Sequence, residues 1–282
     1  MKKSKNIFVY LLIMLLYSSC VDLKHVNSFS SASLKSIEAY EDLDYNFQLS
    51  CIDNCKDKKI KELSLEQKAC DCKDNEKADS VTLLIYNAVK GYFDGLTKIS
   101  NNELTNYKMD ALTKALTEGK FGDISIEKTH VEAFSNISKI LLKAFTDTYR
   151  KQKIKTYVVN SNESLIVLLK YLDFNLSDNL FGKLNVQKER IKSYYFDLTK
   201  DSTLSTYEKT RAIEEYYQQL SKIEVKQKEI LAYSKAIKKI SEGHQKIASN
   251  ADKMSNKDIV ELLTQYSSDI QDIISEIKKF KK

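Results

Sequence analysis

The chain has 282 residues, 42% of them apolar and 30% charged, with 17 tyrosines, five cysteines, six glycines, no tryptophan and no proline. That length holds one sizeable domain or two small ones. The formal charge of +6 is partly an effect of the N-terminus: of 45 basic residues, Lys2, Lys3 and Lys5 come before any acid, and without them 42 face 39 acidic residues. A net charge near +3, spread along the chain, excludes the concentrated basic face that nucleic-acid binding requires.

The first twenty residues fall into three zones. A cationic start is followed by an apolar run, Ile7 to Tyr17, and then by Ser18, Ser19 and Cys20. This is the order of an export signal. Eleven apolar residues are too few to cross a bilayer core, which takes about 20. The closing segment Leu16-Tyr17-Ser18-Ser19-Cys20 resembles the lipobox of bacterial lipoproteins, with Tyr17 standing where leucine is usual. The bulk of Tyr17 also disfavours the ordinary secretory cut, which needs small residues one and three positions before it. The resemblance implies cleavage before Cys20 and acyl chains on its thiol, which would make Cys20 the lipid-attachment residue. It also implies a place in the bacterial cell envelope, anchored by lipid, with the outer membrane expected and either its periplasmic or its surface side open. The domain reading that follows is a signal peptide over 1–19, a small polar tether over 20–33 and a helical body over 34–282.

The absence of proline and the scarcity of glycine leave few forced helix stops, and Lys, Glu, Leu and Ile fill the chain at helical spacing. The expected fold is all-α, an elongated antiparallel helical bundle with long coiled-coil-like C-terminal helices and a disulfide-stapled N-terminal hairpin. Within the body, 34–75 is read as the cysteine-containing hairpin, 76–200 as central helices and 204–282 as a long helical hairpin. Leu34, Ile37, Tyr40, Leu43 and Phe47 suggest a first amphipathic helix. Val81, Leu84, Ile85, Ala88, Val89, Tyr92 and Leu96 predict a second, in which Gly91 and Gly95 either permit a close helix contact or mark a bend. A third, Leu104 to Leu116, is expected to end at Gly119 and Gly122, with a turn over 119–124. Val131 to Thr148 and Ser161 to Leu198 continue the rhythm, the latter with a break expected near Gly182. The longest stretch runs from Thr206 to about Ala248, with polar Gln227, Ser234 and Ser241 interrupting a near-coiled-coil period. After a short connection, Ser255 and Asp258 start a last helix with Ile259, Leu263, Ile270 and Ile274 on its stripe.

The four remaining cysteines, Cys51, Cys55, Cys70 and Cys72, read as C-x₃-C, fourteen residues, then C-x-C. In an oxidising compartment an even cluster implies disulfides. Of three connectivities, Cys51 with Cys72 and Cys55 with Cys70 suits two antiparallel segments best. Four thiolates on zinc are the alternative, against the missing C-x₂-C knuckles.

No pattern among the three histidines, His25, His130 and His244, or the scattered carboxylates nominates an active site. No catalytic residue, metal ligand or cofactor is therefore assigned. His130 and His244 are read as surface or core-edge side chains. Tyr194, Tyr195, Tyr216 and Tyr217 are either half-buried bundle residues or an exposed strip for a partner. The run Lys56, Lys58, Lys59, Lys61 is either a solvated face or, beside a lipid anchor, a contact for anionic headgroups. Asp79-Ser80-Val81 and Asp201-Ser202-Thr203 resemble the short acceptor motif of envelope O-glycosylation. The expected function is that of a non-enzymatic envelope lipoprotein, held by lipid on Cys20, whose helices bind a protein partner or support an envelope assembly. A membrane-active helical protein resembling rod-shaped bundle toxins and a small-ligand-binding lipoprotein are the alternatives.

Overall fold

A computed structural model of the chain describes residues 23–66, 68–101, 115–146 and 153–280. Signal, lipobox and Cys20 fall outside these residues, as does most of the helix expected over 104–116.

Residues 24–33 are not a tether. They belong to helix α1, Lys24–Glu38, whose Val26, Phe29, Ser30, Ala32, Ser33 and Ile37 are buried. Composition misleads here because serine and alanine are small as well as polar. They let α1 lie against α3 (Lys73–Ser100), α7 (Thr206–Ser249) and α8 (Lys257–Phe280) at close range. The few large side chains then fill the gaps. Phe29 is so close to α7 that a Cβ on Gly243 would stand 2.3 Å from its ring. Some of its polar groups are answered, since Asn27 Nδ2 donates to the Thr97 carbonyl (3.0 Å) and to Ser100 Oγ (3.1 Å) and Thr97 Oγ1 donates to Ser30 Oγ, whereas Ser33 Oγ and Ser36 Oγ are buried without a hydrogen bond. Burying Phe29, Val26 and Ile37 stabilises by roughly 1.5–3 kcal/mol each.

A 3₁₀ turn, Ala39–Asp42, leads to α2, Phe47–Lys61, instead of one helix running on through Leu43. Asn46 caps α2 through Leu49 N, and Asp79 on α3 accepts from Phe47 N and Gln48 N, both at 2.9 Å. These bonds satisfy three of the free N–H groups that a helix start exposes. The nested bridges Cys51–Cys72 and Cys55–Cys70 then join α2 to the loop before α3.

Gly119 and Gly122 belong to a β-hairpin. Its strands are β1 Gly119–Phe121 and β2 Ile124–Ile126, paired antiparallel with Gly119 opposite Ile126. Gly122 takes φ +58° at its turn, a conformation that glycine adopts without steric cost. Helix α4, Lys128–Thr146, pairs with α5, Ile154–Phe174. In place of a break near Gly182, a π-helical segment, Asn175–Leu180, passes the chain into α6, Phe181–Lys200. Gly95 permits the close contact considered for it: a Cβ there would meet Tyr157 Oη at 2.6 Å.

Helix α7 has 44 residues, about 66 Å at 1.5 Å per residue, and is capped by a reciprocal Ser205–Glu208 pair. It packs against α1, α5, α6 and α8, and in its C-terminal half Ile230, Tyr233, Ile237, Ile240 and Ile247 are buried. The polar interruptions have partners: Gln227 donates to Asn185 Oδ1 and Ser234 to Asp173 Oδ1. Helix α8 returns antiparallel with Leu263, Ile270, Ile273, Ile274 and Ile277 inward.

Two ends of the bundle follow from these pairings. Leu23 and the start of α1 lie beside the α7–α8 connection, since Phe29 meets Gly243 and Tyr233 Oη donates to the Ile37 carbonyl, so α1 runs opposite to α7. At the other end, α6 runs out and α7 begins, joined by residues 201–205.

Candidate functional site

The surface that stands out is this second end. Its groove, about 410 Å³, lies between α6 and the first turns of α7 and is closed on one side by the end of α2. Tyr194, Tyr195, Leu198 and Ile191 come from α6, Tyr207, Arg211 and Ala212 from α7, Ile60 and Lys61 from α2. The spacing explains the assembly: Ile191, Tyr194, Tyr195 and Leu198 fall at helical threes and fours, so one face of α6 is apolar to its last turn. Among the described residues no further helix lines the groove on that face.

The four tyrosines singled out from the sequence form one chain of ring contacts. Centroids lie 5.2 Å apart for Tyr194 and Tyr195, 5.8 Å for Tyr195 and Tyr216, and 5.2 Å for Tyr216 and Tyr217. Tyr195 is the buried member, its oxygen accepting from Gln219 Nε2 at 2.8 Å. Burial, then the nearby Glu215 carboxylate, push its hydroxyl well above the ordinary tyrosine range. Tyr217 is 62% exposed. The two readings of these residues therefore divide among them: Tyr195 packs the bundle and Tyr217 faces solvent.

Charges around the groove are mostly paired. Arg190 donates to the backbone carbonyl and Oδ1 of Asn54 and stands 3.7 Å from Asp57 Oδ2. Burial raises the Asp57 carboxyl, and Arg190 works against that. Arg211 pairs with Glu214 at 3.0 Å and lies over the Tyr207 ring. These contacts brace the walls and leave the aromatic and aliphatic surface as the part available for binding.

Sequence reading missed the adjoining loop. Leu63 and Leu65 follow α2 and are 84% and 96% exposed. Leu63 also has φ +50°, a left-handed conformation that costs a leucine about 1–2 kcal/mol. Its amide donates to the Ile60 carbonyl and that of Ser64 to the Lys59 carbonyl, closing the helix end where glycine is usual. The loop is held on both sides, by Cys55–Cys70 and by Lys59 Nζ, which donates to the carbonyls of Glu66 and Lys68. Of the eight most exposed large apolar side chains among the described residues, six belong to this end: Ile60, Leu63, Leu65, Phe196, Tyr207 and Tyr217. Apolar side chains gathered at one end of a bundle in this way point to an interaction surface.

The other sequence candidates lie elsewhere. His244 is not at a surface or core edge; it is fully buried against Tyr92. His130 is half-buried, with Nδ1 accepting from Glu127 N and its ring against Tyr171. The lysine run is at the tip, remote from Leu23, and Lys59 is spent on loop closure. Asp79-Ser80-Val81 sits within α3 with the Asp79 carboxylate used as a cap, whereas Asp201-Ser202-Thr203 is an exposed turn that Asp201 closes through Thr203. All four body cysteines are in bridges, so no thiolate set is left for a metal. Among the described residues no group of three or more His, Cys, Asp or Glu side chains could hold a metal ion, and no helix is long and apolar enough to cross a membrane. Comparison with protein-family models, with curated proteins and with solved structures returns no match.

Proposed function

We propose that this chain is a non-enzymatic, lipid-anchored protein of the bacterial envelope, tethered through Cys20, whose helical body offers its apolar tip to a protein partner. One observation carries the binding role: Leu63 and Leu65 are held out in solvent on a cross-linked loop, beside the groove of Tyr194, Tyr195 and Tyr207, at a conformational cost that packing does not repay. Strain kept at an exposed position in this way is a mark of function. Aromatic side chains such as Tyr194 and Tyr207 supply contact area at low entropic cost because they have few rotatable bonds, and the cross-linked loop limits the backbone freedom that binding would otherwise remove. The order of cationic start, apolar run and lipobox supports the anchor.

Two measurements test the two halves. Metabolic labelling with a palmitate analogue should mark the wild type and leave Cys20→Ala unmarked; equal labelling would remove the anchor. A photo-crosslinking amino acid placed at Tyr207 in intact envelopes should give a discrete protein adduct that weakens with Leu63→Ser and Leu65→Ser. The same amino acid at Asn256 should not. Adducts of equal yield at both positions would remove the tip from consideration as the binding surface.

A further inference from the structure

We infer that the protein seats its α7–α8 end on the lipid headgroups of its own bilayer, so that the tyrosine and leucine tip is presented away from that membrane. This rests on acylation of Cys20 as proposed above. From Cys20 to Leu23 there are three residues, which span at most about 11 Å in any conformation. Leu23 itself is 5% exposed, and its carbonyl already accepts from Asn27 N in the first turn of α1. That turn is fastened to the end of α3 through Asn27, Thr97 and Ser100. Without a tether over 24–33, no slack remains between lipid and core, and acyl chains on Cys20 bring this end of the bundle to the membrane surface.

The surface at that end suits the headgroup layer. Asp252, Lys253, Ser255, Asn256 and Lys257 are exposed, Met254 is turned inward, and no large apolar side chain is exposed between 249 and 262. Such a face takes hydrogen bonds and ion pairs from headgroups of either sign but has nothing to insert into hydrocarbon. The connection is also braced from beside: Lys155 at the start of α5 pairs with Asp252. Along α7, Tyr207 is 42 residues from Ser249, or about 60 Å at 1.5 Å per residue. The apolar tip and the lysine run of α2 thus stand clear of the bilayer that holds Cys20, and the lysines are not its headgroup contact.

The test uses full-length, acylated protein in vesicles of phosphatidylethanolamine and phosphatidylglycerol that carry a headgroup quencher. A fluorophore is attached through a clickable amino acid in place of Lys253 or of Gln218, both exposed. The Lys253 label should lose most of its emission and the Gln218 label almost none. A Gly/Ser insert of about a dozen residues between Cys20 and Leu23, long enough to restore a flexible tether, should erase the difference while the protein still floats with the vesicles. Equal quenching of both labels in wild-type protein that floats would overturn the seat and leave the anchor standing. Failure of the wild type to take the acyl label or to float would overturn both.

Discussion

The hydroxyl of Tyr92 and Nε2 of His244 lie 2.6 Å apart in the closed centre of the bundle. Ser161 Oγ donates to the same tyrosine oxygen, and His244 Nδ1 faces Asn162 Oδ1 at 3.0 Å. An imidazole protonated at Nδ1 satisfies every member, with Tyr92 donating to Nε2. A second proton would have to displace that bond in a fully buried site, and burial accordingly drives the histidine down to about 3.

Stability should therefore fall with acidification. The folded pKa lies below the unfolded value of about 6.5, so the unfolded chain binds the extra proton first, and stability is lost as pH falls from about 6.5 toward 3, by up to about 1.4 kcal/mol per pH unit. His130, also lowered by burial, adds a smaller effect of the same sign. Urea unfolding at pH 7 and pH 4.5 should show a reduced midpoint at the lower pH. His244→Gln should be less stable by roughly 2–4 kcal/mol at pH 7, because buried partners lose their bonds, yet flatter between the two pH values. A variant with the wild-type slope would show that His244 is not the group responsible.

Gly243→Ala should destabilise despite alanine's better helix propensity. The added methyl would stand 2.3 Å from Phe29, which has no solvent to move into. Overpacking costs about 1–3 kcal/mol against a propensity gain of about 1. A melting temperature lowered by a few degrees, partly recovered in the double variant with Phe29→Leu, is the expected result; an unchanged melting temperature would show that the α1–α7 contact is looser than described.

Leu63→Gly should do the opposite at the tip. Relief of the left-handed strain should raise stability by up to about 1 kcal/mol, offset in part by the greater freedom of glycine in the unfolded chain. The same change removes an 84% exposed side chain from the binding surface, so crosslinking from Tyr207 should weaken. A loss of stability would mean that Leu63 makes contacts that its exposure does not suggest.

Replacing Cys55 and Cys70 together by serine should loosen the tip before the bundle. Removing such a bridge costs typically 2–4 kcal/mol. The cost falls here on a loop that is otherwise held by the outer bridge Cys51–Cys72, by Lys59 and by the end of α2. Trypsin should then cut first at Lys61 or Lys68, with the long helices intact. Cleavage no faster than in the wild type would show that Cys51–Cys72 and the Lys59 closure suffice without the inner bridge.

The helices were legible from the chain because their apolar spacing is a local property. Thr206 to Ala248 differs by one residue from the observed α7, and the cysteine spacing alone favoured the nesting that is found. Segments 24–33 and 62–65 were not legible. Serine spacing in α1 carries no hydrophobic signal, and its burial depends on Gly243, Thr97 and Ser100, which come from distant parts of the chain. The exposure of Leu63 and Leu65 likewise depends on what fails to cover them. Sequence by itself determined the class of fold, favoured one pairing of the cysteines and raised the expectation of a lipid on Cys20. Only the tertiary structure decided that the bundle begins almost at that cysteine and gathers its exposed apolar residues at the opposite end, because both are matters of which helices meet.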